Sequence, residues 1–339
     1  MKRRRVMKSF NPSFFAVENF LQRKETFDCL PEQARDVCHI AFNVNDAYVK
    51  MAGVTCISVL ENNKDMYFTF HIFTDGCSDE NLERIRQVAE QWQCRCIVYI
   101  LHIEPFLGFH IKVKRFVKIT YARLYMPKIL KAYTSRYIYM DSDMMCIASL
   151  QDVWYMDLQG KAIAAASEMP HTVADRSAFL KLKTQTYFNS GFMVIDIPAW
   201  EKGQITERAF SYQGEPPARF LGHDQDVINL VVDGDIVFLP RIYNQLGGDT
   251  EENDRVIIHW TGRRKPWLMV LTRFDEQWRH YLDISPWDGI TNIEPIKKPE
   301  NYHDFKQWGK IQRSRGNRWG YFVGLFWYSW LRIRYKLNI

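Results

Sequence analysis

From residue 39 to residue 140, short continuous apolar runs alternate with longer stretches in which apolar residues recur every three or four positions. The two periods separate buried strands from amphipathic helices. His39-Ile-Ala-Phe-Asn-Val44 reads as a buried strand, and Ala47 to Leu60 as a helix with Val49, Ala52, Cys56 and Leu60 on one face. Tyr67 to Phe73 is a second strand. Ser78 or Asp79 offers a cap to a helix reaching Gln93, with Leu82, Ile85, Val88, Ala89 and Trp92 turned inward. Cys96 to Leu101 is a third strand, Thr120 to Leu130 a helix that Pro127 distorts, and Arg136 to Met140 a fourth strand. Strands separated by helical patterns predict right-handed βαβ units and a mostly parallel sheet, with a ligand at the strands' C-terminal ends.

The second half is more mixed. Ala162 to Ala166, Gly191 to Asp196, Ile236 to Leu239 and Val256 to Ile258 read as strands, and Gln225 to Val232 as a helix. Residues 1–37 read as a loose arm, 38–289 as one α/β domain, and 290–305, with Pro295 and Pro299, as a linker. In the closing segment, 306–339, Trp319, Phe322, Val323, Phe326, Trp330 and Ile333 recur at helical spacing among basic residues. A basic, aromatic amphipathic helix of this kind suits the interface of an anionic membrane, or packs on the body as a terminal helix. Its longest apolar run, Tyr321 to Leu331, is too short and polar to span a bilayer.

Charge sharpens that division. The net charge is +6. Yet Lys2, Arg3, Arg4, Arg5 and Lys8 crowd the start, and Lys306, Lys310, Arg313, Arg315, Arg318, Arg332, Arg334 and Lys336 the end, with no acidic residue in either segment. Setting these thirteen aside leaves 32 basic against 39 acidic residues, so the body stands at −7. An acidic body argues against a broad nucleic-acid groove, and basic flanks point to an anionic surface met from the ends. The seven cysteines are scattered without a C-x-x-C pair, which predicts reduced, mostly buried thiols in a cytosolic protein and no zinc site. The basic start is not followed by the uninterrupted apolar run of a secretory leader.

Candidate chemistry gathers at strand ends. Asp141 and Asp143 follow the fourth strand, and carboxylates at i and i+2 reach one hard cation. Such a cation neutralises a diphosphate leaving group. Taken alone, Asp141-Ser142-Asp143 is also what a solvated turn looks like. His259 ends Val256-Ile-Ile-His259 and offers a further ligand, while Lys265 and the backbone around Gly262 suit phosphate oxygens. Asn189-Ser190-Gly191 suits sugar hydroxyls or forms a plain turn. Asp224, in His223-Asp-Gln-Asp226, is equally a helix cap, and Arg123 equally a surface salt-bridge partner.

The ordered set is more specific than its parts. Asn43-Val-Asn-Asp-Ala-Tyr48, Tyr121-Ala-Arg-Leu124, Tyr139-Met-Asp-Ser-Asp143, Tyr187-Phe-Asn-Ser-Gly191, His223-Asp-Gln-Asp226 and His259-Trp-Thr-Gly-Arg-Arg-Lys-Pro-Trp267 occur in this order. Over roughly residues 38 to 290 the chain resembles glycosyltransferase family 8, and within it the bacterial lipopolysaccharide core glucosyl- and galactosyltransferases. The resemblance implies a GT-A fold, Rossmann-like and nucleotide-binding, with a UDP-glucose or UDP-galactose donor, Mn²⁺ or Mg²⁺, and retention of anomeric configuration. It implies Asp141, Asp143 and His259 as metal ligands, and Lys265 and Gly262 as diphosphate contacts. Arg123, Asn189, Ser190, Asp224 and Gln225 fall around the donor sugar, Gln225 beneath the anomeric carbon, with Asn43, Tyr48 and Ser142 as further donor contacts. The family usually has an aspartate where Asn45 stands and an asparagine where Ala47 stands, so the uracil contact would pass to the Asn45 oxygen or to Asp46. A lipopolysaccharide acceptor in the inner leaflet implies a cytoplasmic enzyme peripherally attached to the inner membrane. Other glycolipid or protein acceptors, and a nucleotide-sugar-binding module without catalysis, stay open, as does the oligomeric state.

Overall fold

The computed structural model describes residues 10–111, 118–246, 255–262, 264–288, 299 and 301–337. Its strands are β1 Leu21–Asp28, β2 Cys38–Asn43, β3 Phe68–Thr74, β4 Arg95–Leu101, β5 Arg136–Met140, β6 Met144–Cys146, β7 Ile163–Ser167, β8 Phe188–Asp196, β9 Val237–Leu239, β10 Gln245–Leu246 and β11 Ile257–His259. Its helices are α1 Asp46–Glu61, α2 Asp79–Trp92, α3 Met126–Leu130, α4 Gln151–Tyr155, α5 Pro170–Leu180, α6 Ile197–Lys202, α7 Ile205–Phe210, α8 His223–Val232, α9 Arg273–Asp283, α10 Tyr302–Ser314 and α11 Arg318–Leu337.

Eight strands form one sheet in the order β1-β4-β3-β2-β5-β8-β7-β9. The four central strands β4, β3, β2 and β5 are parallel, joined by the βαβ units that the alternating pattern predicts. These strands are apolar on both faces because both are covered. Ile40, Phe42, Phe70, Ile72, Val98, Ile138 and Met140 enter one core, beneath α1, α2 and α9. The alternate residues Ala41, Phe73, Ile97, Tyr99, Tyr137 and Tyr139 enter the other, beneath α3 and α6–α8. Beyond β5 the direction reverses: β8 runs antiparallel to both β5 and β7. A second sheet, β10-β11-β6, lies where β5 gives way to β6.

Three expectations need correction. The opening segment is not a loose arm over its described length. Phe15 and Phe20 are buried, and β1 pairs antiparallel with β4, Leu21 opposite Leu101. Its charged Arg23, Lys24 and Glu25 suit an edge strand that must not recruit another chain. The 120–130 helix divides into a 3-10 turn, Lys118–Leu124, and α3, with Pro127 in the first turn of α3 where its missing N–H costs nothing. Most of the proposed 290–305 linker lies outside the described residues, and the closing helical segment begins earlier than 306, at α10, capped by Asn301.

The closing helices α10 and α11 form a hairpin packed backbone to backbone. A Cβ at Gly324 would sit 2.5 Å from the Gly309 Cα, and Gly320 is buried beside Gln312. Ile311 and Trp308 of α10 pack on Met269 and Leu271 of the body. The opposite side of α11 leaves Trp319, Phe322, Phe326, Trp330 and Ile333 exposed.

Candidate active site

Chain topology brings the polar strand ends together. After β5 the chain passes through Asp141, Ser142 and Asp143 into β6. β11 pairs antiparallel with β6 and sets His259 opposite Met144. The register continues as Trp260 N–H donates to the Asp143 carbonyl at 3.0 Å. Asp141 is tied to β8 in the same way, its N–H donating to the Gly191 carbonyl at 2.8 Å. A strand-end pair and a histidine some 116 positions later in the chain thus share one corner. His259 Nε2 lies 3.2 Å from Asp143 Oδ1 and 3.8 Å from Asp141 Oδ2, and one donor atom from each residue falls within 4.8 Å of the others. Two carboxylates and an imidazole converging this closely form a fit set of ligands for a divalent cation.

The corner opens into a cleft of about 440 Å³. Every residue the family resemblance assigns to the metal, diphosphate, sugar or base lines it, except Asp46. Asp46 turns away to the start of α2, where its carboxylate accepts from Ser78 N–H at 2.8 Å and from Asn81 Nδ2 at 2.8 Å. Its carboxylate is thus engaged away from the cleft. Asn45 does line the cleft, but its side-chain oxygen caps α1 by accepting from Tyr48 N–H at 3.2 Å. Asn43 is likewise engaged, donating to the Ile119 carbonyl at 2.9 Å and accepting from the Tyr139 hydroxyl.

Arg123 is no surface salt-bridge partner. It is 7% exposed and lies over the Tyr139 ring, 4.2 Å from its centroid. Its Nη2 donates to Asp141 Oδ1 at 2.9 Å, its Nη1 to the Ser190 carbonyl and hydroxyl, each at 3.1 Å, and its Nε pairs with Asp224 at 3.0 Å. One guanidinium thus braces the ends of β5, β8 and α8. Burial alone would lower its pKa, but Asp224, Tyr139 and Asp141 together raise it. Burial pushes the Asp224 carboxyl up to about 6, with Arg123 opposing that push and Asp141 adding to it. Asp143 behaves oppositely. Burial pushes it up, but Lys265 and His259 outweigh burial and hold it below the usual carboxylate range. Lys265 Nζ pairs with Asp143 and with the Trp260 carbonyl, and Gly262 borders the same opening.

Gln225 is held from both ends. Its oxygen accepts from Ser190 N–H at 2.9 Å, and its nitrogen donates to the Tyr187 hydroxyl at 3.2 Å and to Glu168 Oε1 at 3.3 Å. The fully buried Asp226 fixes Tyr187 in turn, accepting from its hydroxyl at 2.6 Å. Glu168 was not foreseen. It follows β7 as Asp141 follows β5, so the strand-end rule that picked out Asp141 applies to it equally. Asn244 was missed as well. A Cβ at Gly191 would run into the His259 ring and approach to 2.8 Å of Asp141 Oδ2, so no side chain fits beneath the ligand cluster.

Comparison with known proteins agrees with this architecture. The sequence model of glycosyl transferase family 8 matches residues 39–270. A lipopolysaccharide 1,2-glucosyltransferase of Escherichia coli is 28% identical over 292 residues, which cover 80% of this chain and 86% of that protein. A lipopolysaccharide 1,3-galactosyltransferase of Salmonella typhimurium is 26% identical over 82% of this chain and 88% of that protein. Among solved structures, the galactosyltransferase LgtC, in complex with donor and acceptor sugar analogues, superposes with a TM-score of 0.64 at 20% identity, covering 78% of this chain and 99% of that one. The shared fold is GT-A.

Proposed function

The chain belongs to glycosyltransferase family 8, and from that premise we propose that it transfers glucose or galactose from its UDP-sugar to a lipopolysaccharide core, with retention of anomeric configuration. The observation that carries the reading is the convergence of Asp141, Asp143 and His259 beside the doubly held amide of Gln225, in one cleft at the strand ends. The lipopolysaccharide transferases of two enteric bacteria, matched over about four-fifths of this chain, favour the acceptor class.

In this reading a Mn²⁺ or Mg²⁺ ion held by Asp141, Asp143 and His259 supplies positive charge against the departing diphosphate. Lys265 and the backbone at Gly262 hold phosphate oxygens, and Asn189 and Ser190 meet sugar hydroxyls. Arg123 keeps Asp141 and Asp224 in place rather than reaching out to the donor, since its nitrogens are already engaged. An amide is a poor nucleophile, so Gln225 serves to stabilise positive charge developing at the anomeric carbon while the acceptor attacks from the same face.

The α10–α11 hairpin would lie on an anionic membrane surface at the cytoplasmic face, with its exposed aromatic residues in the interface and its basic side chains over lipid phosphates. Among the described residues no helix is long and apolar enough to cross a membrane. The test is transfer from UDP-glucose and from UDP-galactose to defined truncated lipopolysaccharides, with linkage analysis of the product. Donor hydrolysis without transfer to any of these acceptors would reject the acceptor class, and no donor turnover at all would leave a nucleotide-sugar-binding module.

A further inference from the structure

We infer that Asn244 is a positioning residue that fixes which nitrogen of His259 faces the carboxylate pair, through a relay of side chains anchored at Glu168. The inference rests on the proposed role of His259 as a metal ligand. The relay is read from the end whose chemistry is unambiguous. A carboxylate only accepts, so Glu168 Oε1 must be met by the nitrogen of Asn189, at 2.7 Å. Asn189 therefore presents its oxygen to the other side. There it accepts from Gly191 N–H at 2.9 Å, and a backbone N–H only donates, so the orientation is fixed twice. The same oxygen also faces Asn244 at 2.9 Å, and Asn244 must offer it nitrogen. The oxygen of Asn244 is then left for His259 Nδ1, at 2.9 Å.

An amide oxygen carries no proton to give. His259 Nδ1 consequently holds the hydrogen, and Nε2 is the atom that turns to Asp143 and Asp141. Asn189, Asn244 and His259 are 6%, 1% and 3% exposed, so water does not compete for these bonds. The relay disallows the neutral form in which Nε2–H would donate to Asp143. It leaves a lone pair, or a proton released on metal binding, aimed at the point where the carboxylates converge. Glu168 Oε1 also receives the nitrogen of Gln225, so the metal corner and the sugar pocket share one anchor.

The experiment uses the full-length protein with ¹⁵N-labelled histidine, the His259 signals being assigned by their loss in His259→Ala. Long-range ¹H–¹⁵N spectra above the histidine titration should show Nδ1 protonated and Nε2 bare in the metal-free protein. Asn244→Ala should shift His259 towards the Nε2–H form and weaken Mn²⁺ binding, followed without donor by electron paramagnetic resonance, by roughly 10–100-fold. Asn244→Asp keeps an acceptor opposite Nδ1 but loses the donor to the Asn189 oxygen, so it should restore the Nδ1–H form with only part of the Mn²⁺ affinity. A wild-type His259 protonated on Nε2 alone would overturn the relay even if neither variant folds. So would Asn244→Ala with wild-type tautomer and affinity. Protonated Nδ1 without Mn²⁺ binding would reject the metal reading while leaving the relay standing.

Discussion

Where Asp141, Asp143 and His259 meet, most of the functional side chains are held by buried groups: Asp141 by Arg123, His259 by Asn244, and Gln225 by the Tyr187 hydroxyl and the Ser190 N–H, with half-buried Lys265 on Asp143. The wall contributed by the start of α1 is built differently. Asn45 caps its own helix, Asp46 secures the start of α2, and Tyr48 is 42% exposed with an edge-on contact to Trp267. In the proposed reaction the first wall would hold its groups ready for charge that appears only in the transition state, where preorganisation is most valuable. The second spends its polar groups on holding helices, and keeps little for reading a ligand.

The comparison breaks most readily at the metal corner. Asp143→Ala should lower initial transfer rates by about a thousand-fold, the loss of roughly 4 kcal/mol of charge stabilisation. Full turnover of the wild type in a chelator would overturn the metal assignment. Gln225→Ala should lower kcat by roughly 100-fold while UDP affinity moves less than about threefold, because the amide acts on charge absent from the ground state. A loss confined to UDP affinity would make Gln225 a donor-binding residue.

The α1 wall should respond in the opposite sense. Asp46→Ala should cost about 1 kcal/mol of stability in a thermal melt, by freeing the start of α2, and leave UDP affinity unchanged. A selective fall in UDP affinity would restore Asp46 to the binding site. The subtlest test concerns Asp224, whose folded pKa of about 6 stands above its ordinary value of 3.8. A raised value means the native state holds the proton more tightly. Its stability contribution is complete below about pH 4 and lost as pH rises through about 6. The melting temperature of Asp224→Asn minus that of wild type should therefore grow more positive between those limits. A difference flat with pH would show that the Arg123 pairing already offsets burial.

The parallel strands were legible because burial on both faces leaves an unbroken apolar run. β1 was not, because an edge strand with Arg23, Lys24 and Glu25 reads like a solvated arm until its partner β4 is known. Asp141, Asp143 and His259 could be picked out because each sits at the end of an apolar strand. Asn244 carries no such mark. It precedes a two-residue strand, and its importance arises only from the pairing of β10 with β11, which sets Leu246 beside His259. The helix-tying role of Asp46 was hidden for a related reason: a carboxylate next to a ligand motif and a carboxylate that ties two helices together look the same in one dimension.

The Gly309–Gly324 contact bears on the mechanics of association. Where Gly309 meets Gly324 no side chain separates α10 from α11, and even one methyl at Gly324 would wedge them apart. Trp327 and Tyr328 pack on Phe305 and Tyr302 of α10, while Trp319, Phe322, Phe326 and Trp330 turn outward from the two-helix plate. A plate of this kind surrenders little conformational freedom when its outer face is covered, so more of the burial energy remains as affinity than a flexible tail of the same composition would retain.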